Sequence, residues 1–180
     1  MIVKKSKKLG LNIIYPKTNF LDDRGQYIES FNQKEYKNLF NIKFIEDDFS
    51  INKKNVFKGI HGDTKTWKLI SCVYGKCEAI IMNCNLNSKK FGTWEKFILS
   101  SKNYFQILIP PKYGNSFLVL SNLAVYHYKQ TKYYRGSRYQ FTYNYLDPKF
   151  KIKLSSRKPL VSKRDKNAVF IQNKITKRTT

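Results

Sequence analysis

The chain has 180 residues, 41% of them hydrophobic, which is enough for one domain with a sizeable core and unlike a disordered polymer. Lys and Arg total 35 against 12 Asp and Glu, a formal charge of +23 spread along the chain rather than gathered in one arginine-rich reading element. Such a field draws in polyanions and phosphate-bearing metabolites alike, but the sequence carries no nucleic-acid motif, no P-loop, no dinucleotide fingerprint and no apolar run of membrane or signal length.

In chain order, Asn12 to Pro16 is a short apolar strand candidate, the segment from Phe20 to Gly25 turns, and Gln26 to Phe31 alternates with period two. Asn32 caps a short helix from Gln33 to Phe40, with Glu35 placed for a capping box, and Ile42 to Phe49 resumes strand character. Phe57 to His61 leads into the polar loop from Gly62 to Thr66. Trp67–Val73 and Cys77–Cys84 read as a hairpin across Tyr74-Gly75-Lys76. Strands follow at Trp94–Leu99, Phe105–Ile109 (stopped by Pro110-Pro111), Phe117–Leu120, Ala124–Gln130 and Arg138–Tyr145, and a last short helix is placed near Ser162–Ile171. Turn signals every 8 to 15 residues and one convincing helix favour an all-β barrel or sandwich. One domain over residues 1–180 is expected, with a basic and mobile tail after about residue 172.

Chemistry has few places to sit. The chain holds two histidines, His61 and His127. His61 lies between Gly59 and Gly62, where the backbone can turn tightly and expose a side chain. His127 is flanked by Tyr126 and Tyr128 on a strand, so it points away from both. One imidazole in His61-Gly62-Asp63 does not make a cupin-type metal set, and Cys72, Cys77 and Cys84 have neither zinc spacing nor an even count. No metal and no cofactor are expected, the cysteines are read as small apolar fillers, and a reduced, cytoplasmic setting is expected. Arg24 and Lys58 are candidates for holding phosphate.

The order of motifs resembles the dTDP-4-dehydrorhamnose 3,5-epimerase family. The matching pieces are Asp22 to Ser30, Asp47-Asp48-Phe49-Ser50, Asn55 to His61, Trp67-Lys68-Leu69-Ile70, Ser88 to Trp94, Ile109 to Leu120, Tyr128 to Tyr134, and Leu160 to Asp165. The resemblance implies a dimeric cupin or jelly-roll β-barrel with short flanking helices and an active site inside the barrel. It implies His61 as catalytic base, Asp165 as the carboxylate orienting it, Tyr128 as proton donor on the opposite sugar face, and Lys68 as the cation beside the sugar C4 oxygen. Arg24 and Lys58 would meet the diphosphate, and Glu29 and Tyr134 would lie near the nucleoside. These roles are chemically coherent. A C4 ketone acidifies the hydrogens at C3 and C5, a neutral histidine can remove one, a lysine favours the enolate oxygen, and a phenol can reprotonate the carbanion.

Three departures from the family pattern shape the substrate expectation. Lys58 stands where arginine is usual, keeping charge but losing bidentate geometry. Glu46 and Asp48 stand where glutamine and asparagine are usual, and two carboxylates can accept from the N1 and N2 hydrogens of guanine. The expected substrate is therefore a nucleotide-diphosphate-linked 4-keto-6-deoxy sugar, with a GDP-linked heptose favoured over a dTDP-linked hexose. Asn115-Ser116 replaces a usual His-Gly, so Asn115 is expected to hydrogen-bond the sugar, and epimerisation at C3, C5 or both is left open. The alternatives are a related 3,4-ketoisomerase and a diverged barrel that binds nucleotide sugars without turnover. The expected partners are a nucleotide sugar and a second copy of the chain, with no specific nucleic acid and no membrane insertion.

Overall fold

Strands of alternating apolar and polar residues build two sheets that share one core. The computed structural model describes residues 1–171; the expected tail after residue 172 lies outside them. The first sheet has six strands in the order β1 (Ile2–Lys5), β2 (Asn12–Tyr15), β10 (Gln106–Ile109), β7 (Lys68–Tyr74), β12 (Leu123–Gln130) and β5 (Glu46–Lys53). The second runs β13 (Phe141–Thr142), β6 (Val56–Gly62), β11 (Tyr113–Val119), β8 (Lys76–Asn83) and β9 (Trp94–Ser100), with β14 (Leu160–Val161) parallel to β6. A separate hairpin pairs β3 (Lys17–Asp22) with β4 (Gly25–Glu29).

The inner faces meet in one cluster. Ile70, Ile107 and Tyr126 from the first sheet pack against Cys77, Ile81, Leu99 and Phe117 from the second. Helix α1 (Gln33–Phe40) covers the outside of β2, β10 and β7, burying Tyr36 against Ile14, Leu69 and Leu108. Asn32 caps it by accepting from the Lys34 N–H at 3.1 Å. The segment around Tyr143 and Phe150 covers the second sheet over Ile60 and Met82. No helix among the described residues is long and apolar enough to cross a membrane.

The expected closed barrel is not formed. The sheets are open, with β1 and β5 as the edges of one, and among the described residues no ladder joins them to the other. The reason lies at β6. Its two sides are taken by β11 and by β13 with β14, so β5, its neighbour in sequence, finds no free edge there. The expected hairpin at Tyr74-Gly75-Lys76 is also absent, because the chain changes sheets at Gly75, sending β7 and β8 to different ladders. The strand expected over Arg138–Tyr145 is a 3-10 turn (Ser137–Tyr139) and the two residues of β13, and the helix near Ser162 spans only Lys163–Lys166 (α2).

One irregularity decides what faces the interior. On β6, Lys58 and His61 are three residues apart, and strict alternation would place them on opposite faces. Yet His61 pairs with Asn115 and Lys58 with Phe117, so three steps on β6 answer two on β11. This β-bulge contains Gly59 at φ +127°, and it turns both side chains inward. A Cβ on Gly59 would lie 2.3 Å from the Ser116 Cβ and 2.8 Å from the Asn115 carbonyl oxygen. Gly59→Ala is therefore expected to cost about 2–4 kcal/mol, from a close contact with backbone plus a φ that alanine disfavours. Urea unfolding checks this, and a variant as stable as the parent would show that the bulge can rearrange freely.

Candidate active site

The bulge sets His61 at the mouth of the gap between the sheets, its side chain 22% exposed. Behind it stands Asp165, the third residue of α2, whose side chain is 1% exposed. The parallel pairing of β14 with Val56 and Phe57 carries α2 to this position, and the Ser162 hydroxyl caps the helix by accepting from the Asp165 N–H at 3.2 Å. Asp165 Oδ1 is 2.5 Å from His61 Nε2, and Oδ2 accepts from the Gly59 N–H at 3.4 Å. Burial alone would raise the Asp165 carboxyl. The His61 ring, the Gly59 N–H and the Ser162 hydroxyl outweigh it and hold the group below the usual carboxylate range. An ionised carboxylate only accepts, so the His61 proton is assigned to Nε2 and the Nδ1 lone pair is left free.

A cavity of about 160 Å³ opens before His61. From the second sheet come Lys58, His61, Asn115 and Phe117; from the first come Ser50, Lys68, Tyr126, Tyr128 and Gln130. Tyr134, Gln140 and Arg164 complete the lining. Lys68 is 8% exposed and makes no ion pair among the described residues; burial, only partly countered by Asp63, lowers its ammonium below the ordinary lysine range. Burial raises the Tyr128 phenol, and the nearby Asp48 and Glu46 carboxylates push the same way, so it stays protonated beyond its ordinary range. Lys58 Nζ crosses between sheets to the Ser50 hydroxyl at 2.8 Å. Arg164 is fixed by the Thr142 hydroxyl at 2.8 Å and the Gln140 carboxamide at 3.2 Å.

Of the residues singled out in the sequence, His61, Lys68, Tyr128, Lys58, Asn115 and Tyr134 line one cavity, and Asp165 stands directly behind it. Arg24 and Glu29 do not join them. They sit on the β3–β4 hairpin, where the exposed Arg24 pairs with Asp22 at 2.7 Å and Glu29 accepts from Asn32 at 3.3 Å. Glu46 and Asp48 face inward but are engaged: Gln130 Nε2 donates to Glu46 at 2.7 Å and to Asp48 at 3.1 Å, and both Glu46 oxygens accept from the Tyr134 N–H. Tyr126, Gln130, Ser50, Phe117, Gln140 and Arg164 were missed as lining residues. Period two from Tyr128 would have found Tyr126 and Gln130, and from Asp48 it would have found Ser50. Gln140 lies in a loop that carries no such signal.

His127 points to the outer face of the first sheet, with Nε2 2.5 Å from Asp47 Oδ1. Among the described residues no group of three His, Cys, Asp or Glu converges to hold a metal. Beyond Tyr134 and Gln140 the cavity adjoins a cleft of about 600 Å³. Lys65, Lys132 and Arg135 line it against the single acid Asp63, together with Tyr133 and Tyr139.

The fold and this site define the class: the protein is a nucleotide-sugar epimerase, an isomerase acting on carbohydrates. The sequence model of dTDP-4-dehydrorhamnose 3,5-epimerase matches residues 8–173, and the chain belongs to that family. It is 38% identical over 120 residues to the dTDP-4-dehydrorhamnose 3,5-epimerase of Escherichia coli (strain K12), a match spanning 64% of this chain and 65% of that protein. It is 31% identical over 172 residues to the Shigella flexneri enzyme of the same name, spanning 93% and 94%. The crystal structure of dTDP-6-deoxy-D-glucose-3,5-epimerase from Legionella pneumophila Philadelphia 1, in complex with dTDP-4-keto-L-rhamnose, superposes with a TM-score of 0.87 at 33% identity, covering 95% of this chain and 93% of that one.

These relatives overturn the expectation of a GDP-linked heptose. They are named for dTDP-linked six-carbon sugars, and the carboxylates that argued for guanine hold Gln130 and the Tyr134 backbone instead.

A carboxyl depressed in the folded state contributes stability that is complete above its unfolded value, about 4, and is lost as pH falls through the lower folded value. Asp165→Asn is accordingly expected to cost about 1–3 kcal/mol at pH 7, with the gap from the parent narrowing toward pH 3. Urea titrations at both pH values test this; a gap of equal size at both would show that the charge of Asp165 does not support the fold.

Proposed function

We propose that the protein inverts C3 and C5 of a dTDP-linked 4-keto-6-deoxyhexose by deprotonation and reprotonation through an enolate. The observation that carries this reading is the His61–Asp165 pair opening onto the same small cavity as Lys68 and Tyr128. His61 Nδ1 takes the proton from carbon, and the C–H electrons move onto the C4 oxygen. The imidazolium that forms is stabilised by Asp165. Lys68, the buried ammonium, offsets the negative charge growing on O4, where low polarity strengthens the interaction. Tyr128 returns a proton from the other sheet; the His61 imidazolium then releases its proton to solvent and the Tyr128 phenolate takes one up, which resets both groups. The sugar occupies the inner cavity. The diphosphate and nucleoside run outward past Lys58 and Tyr134 toward the cationic, tyrosine-lined cleft.

We also infer a homodimer. Phe49, Ile51 and Val73 are more than half exposed on the outer face of the first sheet, which α1 leaves bare beyond β7, and Leu21 and Tyr27 stand out from the β3–β4 hairpin. In this arrangement Arg24 and Glu29 serve the site of a second copy rather than their own.

The chemical reading is tested by incubating the protein with dTDP-4-keto-6-deoxyglucose in deuterated water. Deuterium is expected at C3 and C5, with His61→Ala slowing both by about 10²–10⁴-fold and Tyr128→Phe impairing inversion more than exchange. Absence of exchange at both carbons with folded parent protein would overturn it. For the dimer, Arg24→Ala and His61→Ala are each expected to be nearly inactive. Co-refolded mixtures should regain up to about a quarter of parental activity, since mixed pairs contain one intact site; a monomer by sedimentation, or no recovery, counts against it.

A further inference from the structure

The floor of the cavity is a hydrogen bond between the two sheets. Tyr126, fully buried on β12, stacks on Phe117 of β11 with centroids 4.0 Å apart and planes 12° from parallel. Its hydroxyl donates to Asn115 Oδ1 at 2.8 Å. Tyr126 stands two residues before Tyr128 on the same face of β12, and Asn115 is the cross-strand partner of His61. The bond thus joins the neighbour of the base to the neighbour of the acid.

A carboxamide has one oxygen that accepts and one nitrogen that donates. With Oδ1 turned to the phenol, the two Nδ2 hydrogens are directed elsewhere, and among the described residues none accepts from them. Asn115 also lines the cavity, which leaves these donors available to a ligand there. Burial keeps the Tyr126 phenol protonated far above its ordinary range, so it retains the hydrogen it gives to Asn115.

Resting on the epimerase reading above, we propose that Tyr126 is a positioning residue. By holding Asn115 Oδ1 it aims the Asn115 amide at a sugar oxygen next to the carbon that faces His61, and so governs how C3 and C5 share access to the base. The ligand of this pair is a hydroxyl or keto oxygen of the pyranose. A purely structural Tyr126 would brace the two sheets and leave the balance between the carbons alone.

Tyr126→Phe keeps the stack on Phe117 and removes one oxygen. It is expected to raise KM about three- to tenfold, the loss of one hydrogen bond, and to change the ratio of deuterium incorporated at C3 and C5. Asn115→Asp supplies a second test that does not disturb packing: its carboxylate still accepts from Tyr126 but has no hydrogen to give, and the same two readouts should move. In an Asn115→Ala background, Tyr126→Phe should add nothing further to either. Parental KM and a parental C3:C5 ratio in both single variants overturn the proposal, as does a Tyr126→Phe effect that persists undiminished without Asn115. Were the parent protein to exchange neither carbon, the epimerase reading would fail and this inference with it. Exchange in the parent with unchanged variants removes the inference alone.

Discussion

The site depends on one backbone constraint, the bulge in β6 at Gly59. A regular strand would send Lys58 and His61 to opposite faces, leaving one of the two outside the sandwich. The extra residue brings both inward, and close passage over Ser116 leaves no room for a side chain at the turn. The same peptide is tied into the chemistry, because the Gly59 N–H donates to the carboxylate that holds His61. Fold irregularity and imidazole orientation are therefore one device. Asp165 reads the bulge with one oxygen and the ring with the other.

Charge is distributed unevenly around that device. The chain as a whole is strongly cationic, yet the interior of the site is balanced: Lys58, Lys68 and Arg164 stand near Glu46, Asp48 and Asp165. The carboxylates lie behind neutral or basic groups rather than lining the cavity themselves, so the charged groups that face the cavity are cations while Glu46 and Asp48 brace its wall. Glu46 illustrates the point. In sequence it reads as a contact to a base, whereas in the fold it fixes the Tyr134 backbone and the Gln130 amide, and through them the wall between cavity and cleft.

Much of this was legible in the sequence, and the rest was hidden for identifiable reasons. Strand periodicity located β7, β8, β9 and β12 to within a residue or two, and Asn32 marked the start of α1 as an N-cap should. Motif order identified the family and picked out His61, Lys68, Tyr128, Lys58, Asn115 and Tyr134, which converge at the cavity, along with Arg24 and Glu29, which do not. Pairing between strands was not legible. Gly75 reads as a hairpin turn but carries the chain from one sheet to the other, and only long-range competition for the edges of β6 tells against barrel closure. β1, two of whose four residues are lysines, has no alternation to betray it and is held by its ladder to β2. Carboxylate partners were likewise invisible, because Gln130 lies more than 80 residues from Glu46 and Asp48.

The two-sheet architecture also explains how one small cavity can serve an inversion. Inversion requires a base on one face of a ring carbon and an acid on the other, held at a separation that one sugar spans. Two groups on one strand cannot provide this, since same-face neighbours point in the same direction. In the proposed mechanism the base, His61, comes from β6 of the second sheet and the phenol of Tyr128 from β12 of the first, and the width of the sandwich sets the gap between them. Lys68 belongs to the phenol's sheet, one strand away on β7, with Ile70 opposite Tyr128 in the ladder. The proposed cation for the enolate oxygen and the proposed proton donor therefore share a rigid frame, while the proposed base is carried on the facing one. Contacts that cross between the frames, Lys58 to Ser50 and Tyr126 to Asn115, hold the spacing on which the geometry relies.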